Sequence, residues 1–85
     1  MALRITVSTD GPIAEVRLEG RLEAFGVPDL QESCRTAGVP LRLDLSGLRS
    51  ADEVGIHALQ LLRARGVEFR GVSPYIRELL KKERP

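Results

Sequence analysis

The chain has few aromatic residues, one cysteine and almost no excess charge. Aromatic residues make up 4% of its 85 residues and tryptophan is absent, so the core must be aliphatic. The single cysteine, Cys34, excludes an internal disulfide and a cysteine-based zinc site, which favours a reducing, cytoplasmic location. No run of about 18 apolar residues occurs, so we expect no transmembrane helix. The first residues lack the basic-then-apolar pattern of a signal peptide.

Few residues carry the chemistry that enzymes need. The chain has one histidine, His57, and no glycine-rich phosphate-binding motif, so we predict no catalysis, no metal site and no cofactor. A catalytic pair of His57 with Asp44 or Asp52 is the weakest of the hypotheses considered. The 13 basic and 12 acidic residues are too balanced for a dedicated nucleic-acid binder. The length of 85 residues accommodates one domain, residues 1–85.

Alternation of apolar and polar residues predicts four β-strands. The predicted strands are Leu3–Ser8, Ala14–Glu19, Leu41–Leu45 and Val67–Arg70. The first two flank an Asp-Gly-Pro turn and therefore form an antiparallel hairpin. Ser46 and Gly47 mark the end of the third strand, and a loop is expected from Gly20 to Gly26.

Apolar residues at helical spacing predict three helices. The predicted helices begin near Pro28, Asp52 and Pro74, with Ser73 as the N-cap of the third. The first two end near Ala37 and Arg65, and the third has Lys81, Lys82 and Arg84 at its C-terminal end. Either Ser50, at capping-box spacing from Glu53, or Asp52 caps the second helix. That helix carries an apolar stripe that includes Val54 and Leu61. Basic residues near the end of the third helix, among them Arg84, suit its C-terminal dipole.

The element order β-β-α-β-α-β-α predicts an α/β fold with a single four-stranded mixed sheet. Right-handed crossovers with every helix on one face give the strand order 1-2-3-4, with the first strand antiparallel to the second. Each strand carries polar residues at alternate positions, whereas strands covered on both faces are continuously apolar. We therefore expect helices on one face of the sheet and a charged, hydrated opposite face.

Three segments resemble the STAS domain family of anti-sigma factor antagonists. In Asp44–Leu59, a strand ends in Asp-Leu-Ser and the next helix opens with Asp-Glu-Val-Gly-Ile, where the family has Asp-Ser-Ser/Thr-Gly-Leu. Leu18–Ala24 with Pro28–Leu30 is similar to the family's second strand and first helix, and Gly71–Leu80 to its final strand-to-helix passage. The three segments occur in the family's order and span essentially the whole chain. The resemblance implies a STAS-like fold.

The chain departs from the family at one position. Switchable members carry a serine or threonine, phosphorylated by a partner kinase, just before the helix-opening glycine. Here Val54 precedes Gly55, so the resemblance implies that no phosphate switch operates at this site. Asp52 and Gly55 match the residues that frame the family's site, and Glu23 stands where the family often has aspartate. Glu53 is a candidate for a built-in phosphate mimic, but it lies one residue before the phosphorylated position of the family. We therefore interpret it as a favourable charge at a helix N-terminus.

The resemblance implies a non-enzymatic protein-interaction module that binds its partner through the loop before the second helix and the Gly20–Gly26 loop. The candidate partner-binding residues are Glu23, Phe25, Ser50, Asp52, Glu53, Val54, Gly55 and Ile56. Gly55 is expected to permit close approach of a backbone, from the partner or from the neighbouring loop. An exposed Val54 would extend an apolar patch with Ile56 and Phe25, whereas a buried Val54 would belong to the core.

The resemblance leaves the partner open. One kind is an anti-sigma factor kinase or related signalling protein; the other is a membrane transporter, since small STAS proteins also serve as cytoplasmic subunits of lipid-transporting ABC systems. A nucleotide-binding regulatory module is a third hypothesis, because some members bind nucleotides near this loop, although Asp52 and Glu53 would repel phosphates. The first strand is a sheet edge that leaves a homodimer open, although Arg4 disfavours edge pairing. Nucleic-acid binding and membrane insertion are not expected.

Overall fold

A mixed β-sheet carries three helices in the computed structural model, which describes residues 3–82. The elements are β1 (Leu3–Ser8), β2 (Ala14–Leu22), a 3-10 turn (Ala24–Gly26), α1 (Val27–Ala37), β3 (Leu41–Ala51), α2 (Glu53–Ala64), β4 (Glu68–Arg70) and α3 (Pro74–Lys81). Arg84, assigned from sequence to the end of the third helix, lies outside the described residues. No helix within residues 3–82 is long and apolar enough to cross a membrane.

The sheet has the predicted strand order β1-β2-β3-β4. β1 and β2 are antiparallel, with Leu3 opposite Gly20 and Ser8 opposite Glu15. β2 and β3 are parallel, as are β3 and β4. The predicted α/β class, strand order and antiparallel first pair are therefore confirmed.

The aliphatic core lies on one face of the sheet, between the strands and the helices. Buried strand residues alternate with exposed or half-buried polar ones, as in Val16, Arg17 and Leu18. The core residues with no exposed surface are Val16, Leu18, Leu22, Leu30, Leu43, Leu45, Leu59 and Ile76. The opposite face carries ion pairs between strands: Arg42 of β3 pairs with Glu68 of the neighbouring β4 at 3.6 Å, and Arg70 of β4 reaches across β3 to Glu15 of β2 at 3.8 Å.

Two strands are longer than the sequence predicted. β2 continues through Gly20, which has a φ of 97°, to the fully buried Leu22, so the predicted Gly20–Gly26 loop begins three residues late and ends in a 3-10 turn. β3 continues past Ser46 and Gly47 to Ala51, because the pairing of β2 with β3 carries two register shifts. An extra residue in one strand moves the following side chains to the other face. The buried positions therefore change from odd-numbered residues such as Leu45 to the even-numbered Leu48. Because the alternation breaks here, the sequence pattern did not predict the second half of β3.

The helices begin and end close to the predicted residues. Asp52 caps α2, because its side chain accepts a hydrogen bond from the backbone N–H of Gly55. The alternative cap, Ser50, is wrong, since Ser50 lies within β3. Ser73 caps α3 as predicted, accepting from the N–H of Ile76 at 3.2 Å. The apolar stripe of α2 is only partly buried, because Val54 is 51% exposed and Leu61 is 47% exposed.

Candidate functional site

Parallel pairing brings two loops together at one edge of the sheet. Leu22, the last residue of β2, lies opposite Ala51, the last residue of β3. The next residues, Glu23 and Asp52, therefore leave the sheet side by side. The backbone N–H of Asp52 donates to the carbonyl oxygen of Leu22 at 3.0 Å, and this hydrogen bond links the C-terminal ends of β2 and β3.

Asp52 holds both sides of this edge with one carboxylate. Its Oδ1 accepts from the backbone N–H of Gly55 at 2.8 Å and thereby caps α2. Its Oδ2 accepts from the backbone N–H of Ala24 at 2.9 Å, at the start of the 3-10 turn. Because both oxygens bind backbone of the same chain, Asp52 orders the candidate site.

Gly55 is buried where α2 crosses the end of β2. A Cβ atom at this position would lie 2.5 Å from the carbonyl oxygen of Leu22 and 2.9 Å from its Cγ. Real Cβ atoms essentially never come so close to backbone, so only glycine fits without displacement. The close backbone approach predicted for Gly55 is therefore made by β2 of the same chain.

The exposed part of the candidate site is apolar with acidic neighbours. Phe25 is 79% exposed in the 3-10 turn, and Val54, in the first turn of α2, is 51% exposed. The sequence left open whether Val54 is exposed or buried, and the structure shows that it is exposed. Glu53 is also exposed, and Glu23 is half-buried. The 3-10 turn packs against the start of α2, so these residues belong to one region of the surface.

Besides the buried Gly55, the candidate residues Ile56 and Ser50 do not form this exposed surface. Ile56 is 9% exposed and lies in the hydrophobic core, so the predicted patch of Val54 with Ile56 is not formed at the surface. Its backbone N–H donates to the carbonyl oxygen of Asp52, the first bond of α2. Ser50 is half-buried in β3, opposite Arg21 of β2. Leu22 was not predicted from the sequence to belong to the site, although it continues the series of apolar residues at even-numbered positions of β2.

The histidine–aspartate pairs considered from sequence are not assembled. Asp44 lies on the polar face of β3, where Arg17 is 3.4 Å away and the backbone N–H of Ser46 donates to Oδ1 at 2.9 Å. The Ser46 N–H is the main cause that lowers the pKa of Asp44, with Arg17 adding to it against the opposing effect of burial. His57 is exposed on α2, on the other side of the sheet. Both carboxylate oxygens of Asp52 are already engaged.

Within residues 3–82, no group of three or more histidine, cysteine, aspartate and glutamate side chains is placed to hold a metal ion. Burial raises the pKa of the Cys34 thiol, which packs in the core between α1 and its neighbours.

Comparison with known proteins relates the chain to solved structures. No family model matches the chain, and no curated protein matches it. The chain is similar to the STAS domain of an antisigma-factor antagonist from Rhodobacter sphaeroides, with 27% sequence identity, a TM-score of 0.57, and coverage of 79% of this chain and 82% of that chain. It is also similar to Mglu, with 19% identity and a TM-score of 0.58. That match covers 75% of this chain but 18% of the Mglu chain, so this chain spans less than a fifth of its length.

The match to the antisigma-factor antagonist confirms the resemblance to the STAS domain family and the STAS-like fold. The likeness to the antisigma-factor antagonist covers most of both chains, in keeping with the three sequence segments that suggested it. The likeness to Mglu, at 19% identity, concerns the fold alone. The chain therefore has a STAS-like fold and is similar over most of its length to the STAS domain of an antisigma-factor antagonist.

Proposed function

We propose that this chain is a non-enzymatic protein-interaction module that binds its partner through a docking surface formed by Glu23, Phe25, Glu53 and Val54. The observation that carries the proposal is the exposure of Phe25 and Val54, at 79% and 51%, beside the N-terminus of α2. Aromatic side chains such as Phe25 are enriched in protein–protein interfaces, and Val54 extends the apolar surface beside it.

The support beneath the docking surface favours tight binding. The carboxylate of Asp52 joins Ala24, next to Phe25, to Gly55, next to Val54. A preordered surface loses less conformational entropy on binding than a mobile one. Asp52, Gly55 and Ile56, included among the partner-binding residues from sequence, act in this proposal by placing the exposed residues.

The charges of the docking surface indicate what the partner presents. Glu23 and Glu53 flank the apolar residues, so we propose a partner with an apolar recess bordered by lysine or arginine side chains. Charge complementarity of this kind raises the rate of association and excludes wrong partners. The partner class is an anti-sigma factor kinase-like protein or a cytoplasmic transporter component, and the proposed location is the cytoplasm.

In this proposal, partner binding does not depend on phosphorylation at the N-terminus of α2. Val54 has no hydroxyl group, so a kinase has nothing to phosphorylate at the family position. Incubation with candidate partner kinases should leave residues 52–55 unmodified, whereas the Val54→Ser variant restores an acceptor hydroxyl. Detection of phosphate on Ser46 or Ser50 of the wild-type chain by mass spectrometry would contradict the assigned register.

The docking surface is tested by comparing matched surface variants in the cells of origin. Affinity-tagged wild-type chain, a Phe25→Ser, Val54→Asp double variant and a Tyr75→Ser control are each used to capture partners. Tyr75 is 56% exposed on α3, so the control removes an exposed aromatic side chain elsewhere. We expect the wild type and the control to retain the same partner and the double variant to lose it, by about tenfold or more.

The identity of the captured protein then distinguishes the partner classes. Recovery of a sigma-factor regulator with kinase-like sequence supports the signalling assignment, and recovery of a transporter subunit supports the transport assignment. If the double variant retains its partner while circular dichroism shows it folded, the docking surface lies elsewhere and the proposal is wrong.

A further inference from the structure

A groove of about 510 Å³ lies between α1 and α2, at the end of the molecule opposite the docking surface. Leu30 and Cys34 of α1 line one side, and Ala58 and Leu61 of α2 line the other. Leu41, the first residue of β3, also lines it. Because β3 begins here and ends beside the docking surface, the two sites are separated by the length of the sheet.

The groove exposes apolar surface that nothing in residues 3–82 covers. Leu61 is 47% exposed, although it belongs to the apolar stripe of α2, and Val39 at the groove edge is 89% exposed. Cys34 and Leu30 lie deeper, at 9% and 0% exposure. The volume falls in the range of about 300 to 1,000 Å³ typical of small-molecule pockets.

The described residues that line the groove include two charged ones, Arg35 and Arg65, and both are positive. Arg35 pairs with Glu32 of its own helix, on the exposed side. For Arg65, which follows α2, no ion pair is found within residues 3–82. The groove therefore has an apolar interior and a cationic rim.

Three carbonyl groups near the C-terminal end of α2, beside Arg65, have hydrogen-bond partners within the chain. Helix C-termini carry partial negative charge on free carbonyl groups. Here the carbonyl oxygens of Leu61 and Leu62 accept from the backbone N–H of Arg65, and that of Leu62 also accepts from Val67. The next carbonyl, of Arg63, accepts from Gly66. The formal charges carried by the described lining residues are those of the two guanidinium groups.

We propose that this groove binds a single-chain amphipathic carboxylate, such as a medium-chain fatty acid. The alkyl chain lies along Leu30, Cys34 and Leu61, and the carboxylate meets the guanidinium of Arg65, with Arg35 nearby. An arginine guanidinium is planar and matches a carboxylate with two parallel hydrogen bonds. The walls of two neighbouring helices suit a slender alkyl chain, and the positive rim selects an anionic head group.

Calorimetry of the full chain with dodecanoate below its micelle concentration tests the proposal. We expect saturable binding to one site, with dodecanol binding more weakly and dodecylammonium not at all. Arg65→Gln should weaken dodecanoate binding about three- to tenfold, the size expected for a partly exposed charged hydrogen bond. Arg65→Lys should restore part of it, and Arg77→Gln, which removes an exposed arginine from α3, should leave it unchanged.

Cys34 provides an independent readout, because it is the only cysteine in the chain and lines the groove. Saturating dodecanoate should slow the reaction of its thiol with a small thiol reagent severalfold, without changing the far-ultraviolet circular dichroism. The proposal is overturned if dodecanoate neither binds nor protects Cys34, or if dodecylammonium binds equally well. Protection by an acidic amphipathic peptide without protection by dodecanoate would show that the groove receives a protein segment instead.

Discussion

A single carboxylate, that of Asp52, orders the region where β2 and β3 end. It accepts one backbone hydrogen bond from the 3-10 turn and one from the first turn of α2. Substituting Asp52 would therefore alter both sides of the docking surface at once. Charge reversal at this residue is a poor test of partner contact, since it removes structure together with charge. Exposed neighbours such as Glu53 and Phe25 test contact directly.

We expect Asp52→Ala to destabilise the protein by about 2 kcal/mol, the loss of a helix cap together with a second charged hydrogen bond. Urea unfolding measures the free energy, and hydrogen exchange at the Ala24 amide should accelerate. The control Glu53→Ala removes an exposed acidic side chain from the same turn and should cost less than about 1 kcal/mol. Equal losses in the two variants would show that the hydrogen bonds of Asp52 contribute little.

Asp44 makes stability depend on pH. The Ser46 N–H and Arg17 hold its pKa below the ordinary value near 3.9, so the folded state binds a proton less readily than the unfolded state. The stabilisation is present above the unfolded pKa and is lost as pH falls through the folded pKa. Asp44→Asn should therefore be clearly less stable than wild type at pH 6, with a smaller difference at pH 3, measured by urea unfolding. A difference independent of pH would contradict this assignment.

At the scale of elements, α2 lies against the end of β2 only because residue 55 has no side chain. In an open helix, Gly→Ala stabilises by up to about 1 kcal/mol. Gly55→Ala should instead destabilise by about 1 to 3 kcal/mol, because its Cβ would meet the Leu22 carbonyl oxygen at 2.5 Å. Gly11→Ala is the control, with nothing within 4 Å of its added Cβ, and its unfolding free energy should hardly change. A stabilised Gly55→Ala protein would refute the close contact.

α2 also holds the end of α3. The side-chain amide of Gln60 donates to the carbonyl oxygens of Leu80 and Lys82, at 3.0 and 3.1 Å, and Arg63 donates to Leu80 at 3.3 Å. Gln60→Ala should therefore weaken the end of α3 by about 1 kcal/mol and accelerate hydrogen exchange there. His57→Ala, an exposed substitution on the same helix, should leave α3 unchanged. Uniform acceleration across the whole sheet would indicate global destabilisation instead.

At the scale of the whole molecule, the docking surface and the groove occupy opposite ends of the sheet. Their proposed ligands should therefore act independently, since distant substitutions with no shared contacts are usually additive. We expect the Phe25→Ser, Val54→Asp variant to lose its protein partner but bind dodecanoate normally, and Arg65→Gln to show the reverse. Calorimetry and partner capture on both variants measure this. Loss of both activities in a folded variant would mean that the two ends are coupled.

Periodicity predicted the sheet order and the helix positions because each element buries a regular set of aliphatic side chains. The capping residues of α2 and α3 could also be predicted from the sequence, since Asp52 and Ser73 have side chains suited to that position. The ends of β2 and β3 were not predicted. The bulge at Leu45 and Ser46 shifts the alternation by one residue, and only pairing with β2 makes Gly47 to Ala51 part of a strand.

The sequence by itself determined the α/β class, the aliphatic core, the resemblance to STAS domains and the absence of a hydroxyl at residue 54. These depend on local chemistry and spacing. The tertiary structure decided that Val54 is exposed while Ile56 is buried, and that both oxygens of Asp52 bind backbone. It also brought Arg65 and Cys34, from different helical segments, to the lining of one groove. Burial and contact depend on how separate elements pack, and no single segment of the sequence contains that information.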